Sequence, residues 1–562
     1  MFLLLQKFRN LKGGLPLIYF SILSIFLYFF RFNVDLHHDG IMFAPAVAFS
    51  EGLLPNRDFF AFYGPGAPII HGINLMIFGE YVYVLRVFTA ILLTVTTYLI
   101  YELCKKFISQ KISLLASISW ALGLASNLPW ASVITTLLTL ISFRFYLFSI
   151  RDNKNSTLGL SIASILLVLG TYVRIQLFII SIAVLLALIF IPNRKKKVAV
   201  WALSTLTSHL LIIISMMHSN VFQYFVQDNI NFPRAAAIKD SYSLSYILGL
   251  VWFPVIFIFF ILLALFFRSL DAITLNLRIK RMTLCLIAVA FALVIFVSSN
   301  ISRTGFVSYR NPKIIIRDGS WMLVCGIGYF AAFALIIMGF RLVYNYRTLK
   351  YSQQDFNIEN LFGIVYGLAS MVQLYPVYDR IHLWYLAPIF IVALVSLIPY
   401  LNFDIKKILK MNLTSVLSYI FIMLFTLQVM TLIMISTEVR SEYKTPIFAG
   451  MLGNTKQVLL VDRTFSGLIV HQGNYKGIFD CNPGMYSVYN GKYMADSSAF
   501  VNWGPKYPEI ELDSKSIFKC DATKVQIDNL VGGGWNIEYQ EKVPGVRTDE
   551  STQLYNVLFS RK

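Results

Sequence analysis

The sequence is poor in charge. Asp, Glu, Lys and Arg make up 14% of its 562 residues, where a soluble domain carries about 25%. Acidic residues are the scarcer sign, 29 against 48 basic ones, for a formal net charge of +19. That excess alone would suggest a nucleic-acid partner, but no RNA- or DNA-binding motif accompanies it. A Gly-rich phosphate loop is also lacking, so nothing points to a nucleotide substrate. Of the 5 cysteines, Cys104, Cys285 and Cys325 show no metal-ligand spacing. No removable signal peptide stands out either. The apolar stretch behind Lys7, Arg9 and Lys12 is too long for a signal h-region and lacks a clear small-residue cleavage site. It reads as a first membrane anchor.

What fills the chain instead is apolar sequence, 57% of all residues. Runs near the ~20 residues that a spanning helix needs recur up to about residue 435. They fall at roughly 15–32, 84–104, 112–128, 130–150, 157–173, 176–192, 198–217, 246–267, 283–299, 321–340, 358–374, 384–401 and 413–435. The expected fold class is therefore mostly α: a polytopic transmembrane helical bundle of about 13 spans. Alternate connections are basic: the N-terminus, Lys105/Lys106/Lys111, Arg151/Lys154, Arg194 to Lys197, Arg268 to Arg281, Arg341/Arg347/Lys350 and Lys406/Lys407/Lys410. The positive-inside rule places that side in the cytoplasm, and with it the basic N-terminus.

Leu158 to Pro192 is too long for one comfortable span. Only two short passes keep both Arg151/Lys154 and Arg194 to Lys197 inside. The reversal then falls at Gly170 to Gln176, with Arg174 and Gln176 at the outer mouth rather than against lipid, where a charge is costly.

An odd number of passes leaves residues 436–562 outside as a second, extracytoplasmic domain after the membrane domain 1–435. Its composition turns to Gly, Asn, Asp, Lys and Tyr, and it is expected to be a small α/β or mostly β domain. Residues 457–464 (QVLLVDRT) read as a buried strand. Residues 482–484, 489–493 and 531–535 read as turns. Cys481 and Cys520 lie in an oxidising space and either pair or stay apart. Cys104, Cys285 and Cys325 fall in spans and read as packing residues.

Unusual polar residues cluster in the outer connections. The first runs over 33–83, well beyond an ordinary loop. It carries Asp35, Asp39, Asp58, His37, His38 and His71. A helix with apolar residues at helical spacing is expected in IMFAPAVAFSEG. Asp39 sits near its N-terminus, where the helix end would lower the carboxyl pKa and hold it ionised.

The pattern Asp39, Ala46, Gly52, Pro55, Arg57-Asp58, Tyr63-Gly64-Pro65-Gly66, Phe78-Gly79 and Leu85-Arg86 resembles that of the polytopic GT-C glycosyltransferases, among them the protein O-mannosyltransferases and lipid A aminoarabinose transferases. The resemblance covers the first ~200 residues by motif and the rest by topology. It implies transfer of a sugar from a polyprenyl-phosphate carrier to a glycan, lipid or protein acceptor at the outer face of the plasma membrane. It also assigns Asp39 the catalytic role of base or acceptor-positioning group. Many relatives place a second acidic residue beside it; here that position is His38 or Gly40. Asp58, in the Pro-x-Arg-Asp part of the pattern, joins His38 as a substrate-binding candidate.

A second outer segment, 375–384, carries Asp379, Arg380 and His382 among Tyr375, Tyr378 and Trp384. Asp379 and His382, three apart, share a helical face. Asp379 would orient His382, or His382 and Arg380 would bind phosphate. The alternative is an interfacial aromatic belt. The third segment, near 300–320, holds Arg303, Arg310, Lys313 and Arg317 on the outer side, against the charge rule. Either the span count differs here, or these residues meet a buried anion, for which a lipid phosphate and bidentate guanidinium donors are suited. The loop 218–245, with Asp228, Arg234 and Lys239, is a candidate cover for the cavity, with nothing specific in it.

These candidates make up an inverting transfer site that uses no cofactor. His37, His38, Asp39, Asp379 and His382 are suitable ligand types for a divalent metal, but their spacing matches no recognised zinc pattern. A lipid-linked glycan transporter or flippase, and a polysaccharide polymerase or ligase, are the rival readings. The first would place its charges at mid-span.

Overall fold

The structure is a computed structural model. It describes residues 14–59, 61, 63–123, 128–151, 156–189, 194–231, 358–374, 384–396, 413–437, 440–455, 458–459, 461–462, 477–479, 488–489, 492–493, 516–542 and 554–560. The spans expected at 246–267, 283–299 and 321–340 lie outside these residues.

The described part of the first 435 residues is helical. Helices run over Gly14–Phe29 (α1), Leu36–Ser50 (α2), Gly66–Phe78 (α3), Val82–Cys104 (α4), Gln110–Ala121 (α5), Ala131–Arg151 (α6), Ser156–Val173 (α7), Phe178–Leu188 (α8), Arg194–His218 (α9) and Phe222–Val226 (α10). After the undescribed stretch come Ile358–Ser370 (α11), Trp384–Ser396 (α12) and Leu413–Ser436 (α13). Among them Val82–Cys104, Ala131–Ser149 and Lys195–His218 are long and apolar enough to cross a membrane, and shorter apolar helices accompany them. This is the build of a membrane protein. In hydrocarbon only internally bonded backbone is stable, and the hydroxyls on these helices follow the same rule. Thr89, Thr97 and Thr139 each donate to the carbonyl four residues back, at 2.8, 2.7 and 2.8 Å.

Helix directions follow from cross-helix contacts. α6 runs against α7: Ser142 Oγ donates to the Ala163 carbonyl at 2.8 Å, and Gly159 lets Ser149 approach where a Cβ would clash. α7 and α9 run parallel, because Ser161 meets Ser204, Ser164 meets Thr205 and Tyr172 meets His209. α8 runs opposite to both: Trp201 Nε1 donates to the Ser181 carbonyl while Phe178 lies edge-on to His209. The chain therefore reverses between Val173 and Phe178, through a 3-10 turn at Ile175–Leu177, as the charge argument requires. The helix ends at Arg151 and Arg194 share one end of the bundle. The opposite end gathers the first connection, the C-terminal ends of α1, α7 and α9, and the N-terminal ends of α4 and α6.

Lipid-facing character shows on α9, where Leu203, Leu206, Leu210, Leu211, Ile214 and Met217 are all exposed. The core lies inside, around Trp120, Trp201, Trp384, Tyr146 and Tyr366.

Residues 441–453 form a strap rather than a free tail. Strands Ser441–Glu442 (β1) and Leu452–Gly453 (β2) pair antiparallel. Leu452 then bonds the first connection on both sides, donating to the Arg31 carbonyl and accepting from the Asn33 N–H, both at 2.7 Å. Arg31 Nε donates to the Gly450 carbonyl at 2.7 Å, and Arg440 lies 3.8 Å over the Phe32 ring.

Further on, Gly477–Phe479 (β3), Val488–Tyr489 (β4), Lys492–Tyr493 (β5), Ser516–Thr523 (β6), Asn536–Lys542 (β7) and Leu554–Ser560 (β8) follow, with helix α14 at Lys524–Gly532. A mixed sheet of order β3-β6-β8-β7 results, parallel between β3 and β6 and antiparallel elsewhere. Strands and a helix thus both occur among the described residues of this part.

The turn expected at 489–493 falls between β4 and β5, which pair antiparallel with Tyr489 opposite Lys492; residues 490 and 491 lie outside the described residues. The one expected at 531–535 closes α14, with Gly534 at φ +89° and Trp535 N–H on the Leu530 carbonyl. Residues 482–484 and Cys481 lie outside the described residues. The strand expected at 457–464 is corrected: the described residues 455, 458–459 and 461–462 are helical. Val458 and Val461 are buried while Leu459 is exposed. That is the three-residue period of a helix face, which an apolar run by itself does not distinguish from a strand.

Candidate active site

Asp39 sits in the first turn of α2. Its carboxylate is completely buried, and so is its partner, Arg86, the fifth residue of α4. Arg86 Nε donates to Asp39 Oδ1 at 3.0 Å, and Nη2 donates to Oδ2. The rest of the guanidinium is spent on backbone. Nη1 meets the Phe30 and Phe32 carbonyls, each at 3.1 Å, and Nη2 meets the Asn33 carbonyl at 2.9 Å. The Phe30 carbonyl lies just past the end of α1, where helix carbonyls lack intrahelical donors, and the Phe32 and Asn33 carbonyls belong to the connection that follows. Arg86 thus caps one helix and grips the carboxylate that opens the next. The Asp35 N–H adds a bond to Asp39 Oδ2 at 2.9 Å.

The expectation that a helix end would lower the Asp39 pKa is corrected. Burial raises it, and Arg86 with the Asp35 amide opposes the rise. Tyr443, from the strap, is buried close enough to feel both charges. His38 lies on α2 beside Asp39, and its side chain is outside the described set.

Arg174 marks the second centre. Its backbone is extended between α7 and the 3-10 turn, and its side chain is buried. Nη1 donates to Ser132 Oγ, at the start of α6, at 2.6 Å. The guanidinium lies 5.4 Å over the Tyr63 ring, and Tyr63 in turn meets Trp130 edge-on at 5.4 Å. Gln176, half-buried, sits in the turn itself.

The Tyr63-Gly64-Pro65-Gly66 segment explains its own glycines here. A Cβ on Gly64, whose φ is +138°, would lie 2.5 Å from the Tyr172 carbonyl oxygen. One on Gly66 would lie 2.8 Å from the Val173 side chain. Only glycine lets the first connection close onto the end of α7. His71, on α3, secures the same connection by donating from Nε2 to the Pro129 carbonyl at 2.8 Å.

Asp58 stands further along the connection. It is forked by its neighbour Arg57 at 2.8 Å on both oxygens and accepts the Leu54 N–H at 2.8 Å. Arg57 holds its carboxyl below the usual range. Next to it, Asn56 Nδ2 donates to Asp228 Oδ2 at 2.9 Å. Asp228 lies on a π turn, Gln227–Asn231, and burial pushes its carboxyl up to about 6.

Asp379, Arg380, His382, Arg303, Arg310 and Arg317 lie outside the described residues. The flanks of the 375–384 segment are visible. The 3-10 turn Met371–Leu374 packs on the turn after Arg174, with Gln373 accepting from Thr135 at 3.0 Å. Trp384 stacks on Trp120 at 4.9 Å. No group of three or more His, Cys, Asp or Glu side chains that could hold a metal occurs among the described residues.

Sequence reasoning passed over two residues. Arg86 was legible only as part of a pattern, although a basic residue at the outer end of an apolar run already ran against the charge rule. Asp228 had no signal, since its partner Asn56 is far away in the chain.

No protein-family profile matches the sequence, and no curated protein matches it. Among solved structures the chain is similar to the Archaeoglobus fulgidus oligosaccharyltransferase, crystallised as a complex with Zn and sulfate. That likeness has 12% identity and a TM-score of 0.42, over 82% of this chain and 58% of that one. It is also similar to ArnT from Cupriavidus metallidurans in the apo state, with 10% identity and a TM-score of 0.31, over 68% of this chain and 77% of that one. The chain thus spans somewhat more than half the length of the oligosaccharyltransferase.

Proposed function

We propose that this protein is an integral membrane glycosyltransferase that moves a sugar from a polyprenyl-phosphate donor to a hydroxyl acceptor at the outer face, with inversion. The observation that carries the reading is the convergence of the motif residues. The Tyr63-Gly64-Pro65-Gly66 segment closes on the helix end that bears Arg174, and Asp39 is fixed by Arg86 at the same end of the bundle. Asp39, Arg86 and the Tyr63-Gly64-Pro65-Gly66 segment are positions through which the sequence resembles the GT-C glycosyltransferases.

Each residue has a part in the chemistry. Arg174 has the role of binding the donor phosphate, a role shared in this reading with Arg303, Arg310, Arg317, Arg380 and His382, which lie outside the described residues. Positive charge there stabilises the leaving group as its bond to the anomeric carbon breaks. Asp379 orients His382, and His38, Asp58 and Gln176 contact the substrates. Asp39 serves the acceptor. Among the described residues, Arg86 and the Asp35 amide take three of the roughly four acceptor sites of its carboxylate. The remaining one, on Oδ1, receives the acceptor hydroxyl and holds it in line. Burial makes this carboxylate a better base than a solvated one, so it can take the hydroxyl proton as the new bond forms. The acceptor oxygen replaces the phosphate on the anomeric carbon, and the lipid phosphate departs.

The test is incubation of membranes holding the protein with a panel of polyprenyl-phosphate sugars, following release of the lipid phosphate. Release above the background of protein-free membranes supports the reading. Asp39→Asn, with unchanged protein level, is expected to abolish it. Full activity in that variant overturns the assignment of Asp39.

A further inference from the structure

A guanidinium has five N–H groups, and all five of Arg86 are spent. Two meet the oxygens of Asp39, and three meet the carbonyls of Phe30, Phe32 and Asn33. The positions of those carbonyls therefore set the fork that meets the carboxylate. Two of the three belong to residues that the strap holds from the other side. The Asn33 N–H donates to the Leu452 carbonyl at 2.7 Å. The carbonyl of that same peptide unit, on Phe32, accepts from Arg86 Nη1 at 3.1 Å. A planar trans peptide points its N–H and C=O in opposite directions. The Phe32–Asn33 peptide is thus a rigid bar with the strap at one end and Arg86 at the other.

Asn33 has φ +55°. Asn tolerates this left-handed conformation, whereas a β-branched residue resists it. Such a conformation persists where the surroundings fix it. Here Leu452 takes the Asn33 N–H, and Arg86 Nη2 takes its carbonyl at 2.9 Å. Asn33 is itself exposed, so what this position contributes is backbone conformation. Leu452 is anchored in turn, because it donates to the Arg31 carbonyl at 2.7 Å while Arg31 Nε donates to the Gly450 carbonyl. We infer that Asn33 and Leu452 are positioning residues for Asp39: the strap after α13 fixes the Phe32–Asn33 peptide, the peptide fixes Arg86, and Arg86 fixes the carboxylate. The catalytic meaning of this relay rests on the reading of Asp39 as the residue that serves the acceptor.

The experiment is labelling of the full-length protein in nanodiscs with dicyclohexylcarbodiimide, which reacts with protonated carboxyls, read residue by residue by mass spectrometry at neutral pH. Arg86 opposes the effect of burial on Asp39, so a displaced fork leaves more of the carboxyl protonated. Leu452→Pro removes the N–H that anchors the strap. Labelling of Asp39 is expected to rise about tenfold, as for a tenfold larger protonated fraction. Asp228 and Glu102, buried elsewhere, should keep their rates. Unchanged labelling of Asp39 overturns the relay, and so does a rise shared by Asp228 and Glu102, which marks general loosening. If Leu452→Pro does not accumulate, Asn33 decides. Asn33→Val, which resists the left-handed φ, should raise labelling of Asp39, and Asn33→Gly, which accepts it, should not; equal labelling in the two overturns the relay. In the transfer assay Leu452→Pro should lower kcat with KM for the lipid donor unchanged, and a rise in that KM alone overturns the link to Asp39. Absence of transfer in the parent protein overturns the proposed function and leaves the labelling readable.

Discussion

Arg86 donates from two nitrogens to the two oxygens of Asp39, and neither side chain touches solvent. Such a pair tolerates the loss of one partner poorly, because the other charge stays buried. Arg86→Ala is expected to cost about 3–5 kcal/mol of stability. The double variant Arg86→Met/Asp39→Leu should recover much of that while remaining inactive. Thermal unfolding in detergent, run beside the transfer assay, checks both.

Gly64 is held at φ +138° with its hydrogen against the Tyr172 carbonyl oxygen. Gly64→Ala forces the first connection away from the end of α7, at about 1–3 kcal/mol. Tyr63 then loses its place under Arg174. The expected result is a lower melting midpoint and a fall in transfer. A variant with unchanged midpoint would show that the connection closes differently.

Arg174 combines a bond to Ser132 with a stack on Tyr63. A lysine keeps the charge but lacks the planar fork that does both. Arg174→Lys is expected to raise KM for the lipid-phosphate donor about tenfold, equivalent to ~1.4 kcal/mol. KM for the acceptor should hardly change, and steady-state kinetics with each substrate varied in turn separate the two.

Asp228 titrates near 6 in the folded protein against an ordinary carboxyl at 3.8, because burial disfavours its ionised form. Between those values the folded state binds more protons than the unfolded one. Stability therefore falls as pH rises from about 4 to about 6 on this account. Asp228→Asn should remove that part of the pH dependence. Melting midpoints of both proteins across this window test it, and parallel curves would reject the assignment.

Leu452 donates to the Arg31 carbonyl and accepts from Asn33, so it ties the tail to the first connection. Leu452→Pro removes the donor and should release the strap. The expected readout is new protease cleavage between residues 440 and 453, at a stability cost of about 1–3 kcal/mol.

Much of the helical half was legible because the bilayer imposes its own length and polarity on sequence. Spans such as 84–104 and 130–150 needed only run length, and the reversal at Arg174 needed only the rule that basic connections share a side. The charge of Arg174 and the glycines at 64 and 66 were equally visible as exceptions within apolar sequence. What stayed hidden were relationships between residues far apart in the chain. Nothing local to Asp39 announces that Arg86 will cover it, and burial then reversed the pKa direction expected from its helix position. Nothing local to QVLLVDRT decides between strand and helix, because a short apolar run satisfies either period. The burial of Val458 and Val461 on one face decided it.

By itself, then, the sequence determined a chain of apolar helices and led to the expectation that basic connections share one side and the unusual polar residues the other. Its motif also resembles that of the membrane glycosyltransferases. Only tertiary structure decided which of those residues meet: Asp39 with Arg86, Arg174 with Tyr63 and Ser132, Asn56 with Asp228. The physical reason is that composition and period report what each segment must hide from lipid or water. A pair contact depends on how segments from distant parts of the chain are brought together.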